Sequence, residues 1–177
     1  MYQQNITSII DNCDLQTAFS RVIKYFDPNK AKNRKTKVLD FSSFFSWTEN
    51  DYKIFDIIKT RNSEGSVLDN RYDIIIYEPP VNQSLFSNAI ESSKIFNKVL
   101  NIGGNILVKV KDFKTTTNGN AELKGSFDIK TIFESNDFYL FDQIVYKTRP
   151  TMNYHKSNND NEITHLYFMI FKKKNPS

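Results

Sequence analysis

The chain has 177 residues, a length that suits one domain with a single sizeable core and is too short for two ordinary ones. Its one cysteine, Cys13, excludes an intrachain disulfide, and its two histidines, His155 and His165, stand in no spacing with Asp or Glu that would hold a metal, so no structural metal is expected. A formal charge of +4 and a pI near 9.0 suit attraction to phosphate backbones but are common among proteins that never meet nucleic acid, so charge alone assigns no partner.

The chain opens MYQQNITSIIDNCD, which lacks the basic stretch and continuous apolar run of a signal peptide. Nor does any apolar run reach the roughly 18 residues of a membrane-spanning helix. An intracellular protein with no membrane contact is expected, in cytoplasm or nucleus. Leu15, Ala18, Phe19, Val22, Ile23 and Phe26 recur at helical spacing and predict an amphipathic helix over 14–26. Asp14 can cap it, and Asp27-Pro28-Asn29 stops it. The basic run KAKNRKTK, 30–37, reads as a solvated connector rather than a dedicated phosphate patch. Residues 1–36 are therefore expected to form a helical extension and linker, ahead of an α/β core over 37–172 within one domain.

From there short apolar runs alternate with helical or polar segments, the signature of a mostly parallel sheet flanked by helices. The runs are VLDF at 38–41, YKIFDII at 52–58, DIIIY at 73–77 and NILVKV at 105–110. Three consecutive isoleucines in DIIIY fit a strand buried on both faces. A helix is predicted over 83–100, ending near Gly103-Gly104. Residues 111–124, KDFKTTTNGNAELK, read as a mobile polar loop that could act as a lid. A helix over 126–135 and two strands over 139–147 and 163–172 close the pattern, with a long polar loop over 148–162 between the strands.

The succession DIIIYEPP, helix, GGNILVKVKD and a closing HLYFMIFKK resembles the second half of class I S-adenosylmethionine methyltransferases, and especially small DNA-methylase-type proteins. In those, an apolar strand runs into a D/N-P-P-Y motif. The resemblance implies a Rossmann-like three-layer α/β sandwich with a seven-stranded sheet, parallel except for the last strand. Cofactor and substrate would lie at the carboxyl ends of the strands, where open α/β sheets bind ligands on topological grounds as well. It also implies S-adenosylmethionine as cofactor. Asp40, Phe41, Ser42 and Ser43 would stand at the cofactor loop, Asp56 near the ribose hydroxyls, and Glu78, Pro79 and Pro80 in the substrate motif.

Residue chemistry departs from that pattern at both sites. Glycines let a loop approach its ligand closely, yet the loop after Asp40 carries Phe41, Phe44 and Phe45 and no glycine. The cluster Phe44, Phe45 and Trp47 reads as core filler in preference to an adenine-stacking surface. A strand, crossover helix and strand need about 30 residues, whereas 37–58 spans twenty-two. Either the crossover helix is lost or reduced to a turn, or 52–58 is the third strand and the second is missing. In the substrate motif, Glu78 reaches one carbon further than Asp, and Val81 offers no face on which a flipped base could stack.

Lys109 interrupts an apolar strand, and burying a lysine is costly unless it is paired. An ion pair with Glu78 on the neighbouring strand is one expectation. The other is a catalytic role, since Lys37, Glu78, Lys109 and Glu162 loosely resemble the Lys-Asp-Lys-Glu tetrad of ribose 2'-hydroxyl methyltransferases. Two functions compete: a methyltransferase acting on nucleic acid, and an inactive methyltransferase-fold subunit or binding module that partners an active enzyme or nucleic acid.

Overall fold

A computed structural model describes residues 6–10, 13–32, 34–60, 68–80, 85–117, 120–147 and 165–174. The first helix, α1 (Leu15–Tyr25), begins as expected, with the Asp14 carboxylate accepting from the Thr17 backbone N–H at 2.9 Å. Its apolar stripe, Ala18, Phe19, Val22 and Ile23, is buried. Strands follow at β2 (Thr36–Phe41), β3 (Phe55–Lys59), β4 (Tyr72–Tyr77) and β5 (Leu100–Lys111). With β1 (Ile6–Ile10), β8 (Phe138–Lys147) and β9 (His165–Lys173), they form a seven-stranded sheet in the order β1-β8-β9-β5-β4-β2-β3. Within that sheet only β9 runs antiparallel to its neighbours. This is the Rossmann-like α/β fold, mostly parallel with an antiparallel last strand, that the sequence leads one to expect.

Side-chain alternation along the strands builds the layers. Ile74 and Ile76 of β4 join Val38, Leu107, Phe168 and Ile170 against α1 on one face. Ile75 and Tyr77 point the other way, to a core with Leu39, Val108, Met169 and Phe171 that is covered by two further helices, α3 (Leu85–Val99) and α4 (Ser126–Glu134). All six residues of β4 are buried, which is why Ile74, Ile75 and Ile76 run consecutively instead of alternating with polar residues.

Three expectations need correction. Residues 1–36 are not an appendage: β1 pairs with β8 at one edge of the sheet, and the stripe of α1 is part of the core on one of its faces. The run 52–58 is not all strand. Thr48 and Asp51 form a reciprocal capping box that starts a short helix, α2 (Glu49–Ile54), so the strand begins only at Phe55. Because β3 pairs directly with β2, the crossover helix has been reduced and the second strand kept. Finally, residues 111–124, expected to be a mobile polar loop, contain two paired antiparallel strands, β6 (Phe113–Thr117) and β7 (Asn120–Lys124). The β-branched Thr-Thr-Thr favours strand, and Asn-Gly between alternating segments is a strong hairpin signal. Among the described residues no helix is long and apolar enough to cross a membrane.

The start of β5 tolerates no side chain at Gly104. A Cβ there would lie 2.8 Å from the Asp73 carbonyl oxygen and 2.8 Å from Leu100 Cδ1. Gly104→Ala is expected to destabilise the fold by about 1–3 kcal/mol, the usual cost of overpacking, read as a lower urea midpoint at unchanged slope. Gly103, whose φ of +80° faces open space, is the companion position where alanine meets backbone strain alone.

Candidate functional site

The carboxyl ends of β2, β4 and β5 converge on one crevice. Asp40, at the end of β2, is fully buried. Its Oδ1 accepts from the Ser42 backbone N–H at 3.0 Å and from the Ser42 hydroxyl at 2.6 Å. Its Oδ2 accepts from the Trp47 indole N–H at 2.8 Å and lies 3.7 Å from Lys59 Nζ. The carboxylate is thus satisfied from within its own chain, and it staples the following loop back onto the strand.

That loop is filled with aromatic rings. Phe44 and Phe45 meet Phe19 of α1 at centroid distances of 4.8 and 5.1 Å, and Trp47 packs edge-on against Phe45 and Phe55. Phe41 turns to the other face, against Phe96 and Tyr77. The expectation that Phe44, Phe45 and Trp47 act as core filler holds.

Asp56 does not reach this edge. In the parallel register it sits beside Lys37 at the amino end of β2, whereas the residue beside Asp40 is Lys59. The strand simply begins later than the sequence reading assumes, and this moves Asp56 to the far end. Lys59 also donates to the Phe45 carbonyl at 3.0 Å, so a cation tethered to the loop occupies the place expected of an acid. Sequence reading misses Lys59. The signal is there, as the first polar residue after the apolar FDII run.

Glu78 and Lys109 come together as one of the two expectations has it, with Lys109 Nζ 2.5 Å from Glu78 Oε1. The other carboxylate oxygen accepts from the Ser43 hydroxyl at 2.9 Å and the Ser43 backbone N–H at 3.3 Å. Lys109 also lies over the Phe44 ring, 4.3 Å from its centroid. Desolvation pushes the Glu78 carboxyl up, but the hydrogen bond and charge of Lys109, with the two bonds from Ser43, outweigh it and hold the group below its ordinary value. Lys37 lies at the opposite end of the sheet and Glu162 falls outside the described residues, so the loosely matched tetrad is not assembled from Lys37.

Beside the pair is a cavity of about 390 Å³ lined by Phe41, Ser42, Ser43, Tyr77, Glu78, Pro79, Pro80 and Asn88. The Tyr77 hydroxyl donates to Asn88 Oδ1 at 2.9 Å, and burial pushes its pKa up to about 12, so it stays a neutral donor. Val81, the fourth residue of the motif, lies outside the described residues.

The pair yields a prediction. Glu78→Gln removes the counter-charge of a Lys109 side chain that is only 16 % exposed. Loss of a partner in a fully buried pair costs about 3–5 kcal/mol, and this half-wet position is expected to cost about 1–2 kcal/mol. Adding Lys109→Met should recover most of the loss, a coupling that a double-mutant denaturation cycle reads directly. The pH dependence follows from the same geometry. A carboxyl depressed in the folded state contributes stability that is present above its unfolded value and lost as pH falls through the folded one. Wild type should therefore lose this increment below about pH 4, and the double variant should not.

No protein-family model matches the chain, and no curated protein does. Solved structures similar to it include a methyltransferase from Pyrococcus furiosus, 14% identical over 93% of this chain and 88% of that one, with a TM-score of 0.49. Another is an S-adenosylmethionine-dependent methyltransferase from Methanosarcina mazei, at 10% identity over 82% and 96%, TM-score 0.48. A third, from Thermus thermophilus, is described as a candidate DNA modification methylase and was solved with S-adenosyl-L-methionine. It is 14% identical over 63% of this chain and 51% of its own length, TM-score 0.47, so the chain spans about half of it. At these identities and TM-scores the neighbours assign this chain no family, activity or ligand.

Proposed function

We propose that this is a methyltransferase-fold protein that does not turn over S-adenosylmethionine and works inside the cell as a binding module, for nucleic acid or for an active partner enzyme. The observation that carries the reading is Asp40. Its carboxylate already accepts three hydrogen bonds from Ser42 and Trp47 with Lys59 Nζ 3.7 Å away, and the side chain is fully buried, so it is not presented to an incoming ligand. The residues around it do not fit the cofactor either. A glycine-free loop packs its rings into α1, and a lysine stands at the end of the neighbouring strand in place of an acid.

One observation favours the second reading, a methyltransferase acting on nucleic acid. The cavity beside Glu78, Pro79 and Pro80 has a volume within the range of small-ligand pockets. In that reading Glu78 would orient a target amine while the protein supplied proximity. Incubation with radiolabelled S-adenosylmethionine and a mixture of DNA and RNA separates the two. We expect no incorporation above the protein-free blank. Transfer that disappears in Glu78→Ala would establish the enzyme.

A further inference from the structure

At the opposite, amino end of the sheet lies a larger basin of about 700 Å³ that the crevice chemistry does not use. Its walls come from four separate stretches of chain: the turn after α1 leading into β2, the approach to β4, the junction of α3 with β5, and the end of β9. Antiparallel β9 brings its last residues to the edge where the other strands begin. Each stretch delivers at least one cation, so Lys32, Arg34, Arg71, Lys98 and Lys173 line the basin against a single carboxylate, Asp73.

That carboxylate is already met. It accepts from Arg34 at 3.0 Å, from Asn101 Nδ2 at 2.9 Å and from the Lys37 backbone N–H at 3.1 Å. Burial pushes Asp73 up, but these bonds outweigh it, so it stays ionised and balances Arg34. Lys173 donates to the Asn97 carbonyl at 2.6 Å. Lys32, Arg71 and Lys98 have no carboxylate partner among the described residues. The C-terminal dipole of α3 offsets about half a unit charge near Lys98, which leaves the basin strongly positive. Asn29, a buried residue of its wall, also carries an amide nitrogen with no hydrogen-bond partner among the described residues.

We infer that this basin binds the phosphodiester backbone of a nucleic-acid strand. Five cations distributed over four stretches of chain suit a series of phosphates better than one. Among the described residues no aromatic ring lines the basin, so nothing there stacks a base, and the contact would be to the backbone and independent of sequence. The inference stands whether or not the other edge of the sheet binds a cofactor.

The test is fluorescence anisotropy of a labelled single-stranded DNA of about 12 nucleotides, titrated with the full chain between about 50 and 200 mM salt, a span over which phosphate contacts weaken measurably. Lys32→Gln with Arg71→Gln is compared with a charge-matched control, Lys53→Gln with Lys130→Gln, which lies off the basin. Thermal melts verify that both variants are folded. Removing two phosphate contacts should weaken binding roughly tenfold or more at low salt and flatten the log–log salt slope by about 1.4, while the control stays within about twofold of wild type. Equal loss in the control would show a diffuse charge effect and overturn the site, as would absence of binding by wild type at the lowest salt. Basin-dependent binding of inorganic tripolyphosphate without binding of the strand would assign a small phosphate ligand instead, and overturn the nucleic-acid assignment.

Discussion

Asp40→Ala is expected to destabilise the protein by about 3 kcal/mol, and to do so mainly by releasing the loop that follows β2. The substitution leaves the buried Ser42 backbone N–H and the half-buried Trp47 indole N–H without their acceptor. An orphaned buried donor costs about 1–3 kcal/mol. Lys59 adds less, because its side chain is 44 % exposed and water can take over from the lost carboxylate. Asp40→Asn keeps one acceptor oxygen and should cost about half as much. Trp47 is the only tryptophan, so its emission reports on this loop alone. A red shift in the folded Asp40→Ala protein, with a lowered urea midpoint, is the expected pair of results. A loss under about 1 kcal/mol with unchanged emission would mean that the carboxylate is not what holds the loop.

The second large effect lies on the other side of the same loop. Phe19→Ala is expected to cost about 3–5 kcal/mol, the range for truncating a buried phenylalanine. Phe19 has no exposed surface and touches three rings, Phe44, Phe45 and Phe168, at 4.8, 5.1 and 5.2 Å. It is therefore the joint between the N-terminal helix, the loop after β2 and the antiparallel last strand. Phe19→Leu, which fills most of the volume, should cost about 1–1.5 kcal/mol. Equal small losses in both, measured by denaturant unfolding, would show that the loop does not depend on α1.

The architecture is legible in the sequence because its signals are local and repeated. DIIIY reads as a doubly buried strand, the apolar spacing of 14–26 as an amphipathic helix, and the Asp14 cap as its start, and each of these takes its expected place. The Glu78 and Lys109 pair is legible for a different reason: two charges in apolar surroundings on adjacent strands each relieve the other's desolvation.

What could not be read depends on register and on distant partners. Whether Asp56 or Lys59 reaches the carboxyl edge turns on where β3 begins, and that is decided by the Thr48 and Asp51 capping box, which sets the helix ahead of the strand and not the strand itself. Likewise, nothing in the order of residues announces that Asp40 is bonded to Trp47, or that β9 carries Lys173 to the same basin as Lys32. The N-terminal segment is undervalued because Ile6–Ile10 is too short and too polar in context to stand out as a strand, and only its parallel pairing with β8 reveals it.

Isothermal titration of the full chain with S-adenosylmethionine, followed in parallel by Trp47 emission, bears most directly on the closed crevice. With Asp40 already satisfied and the loop rings packed into α1, ligand at about millimolar concentration should give no saturable heat, no change in emission and no thermal stabilisation, since stabilisation by linkage requires binding to the folded state. Saturable binding with a shift in Trp47 emission would contradict the account.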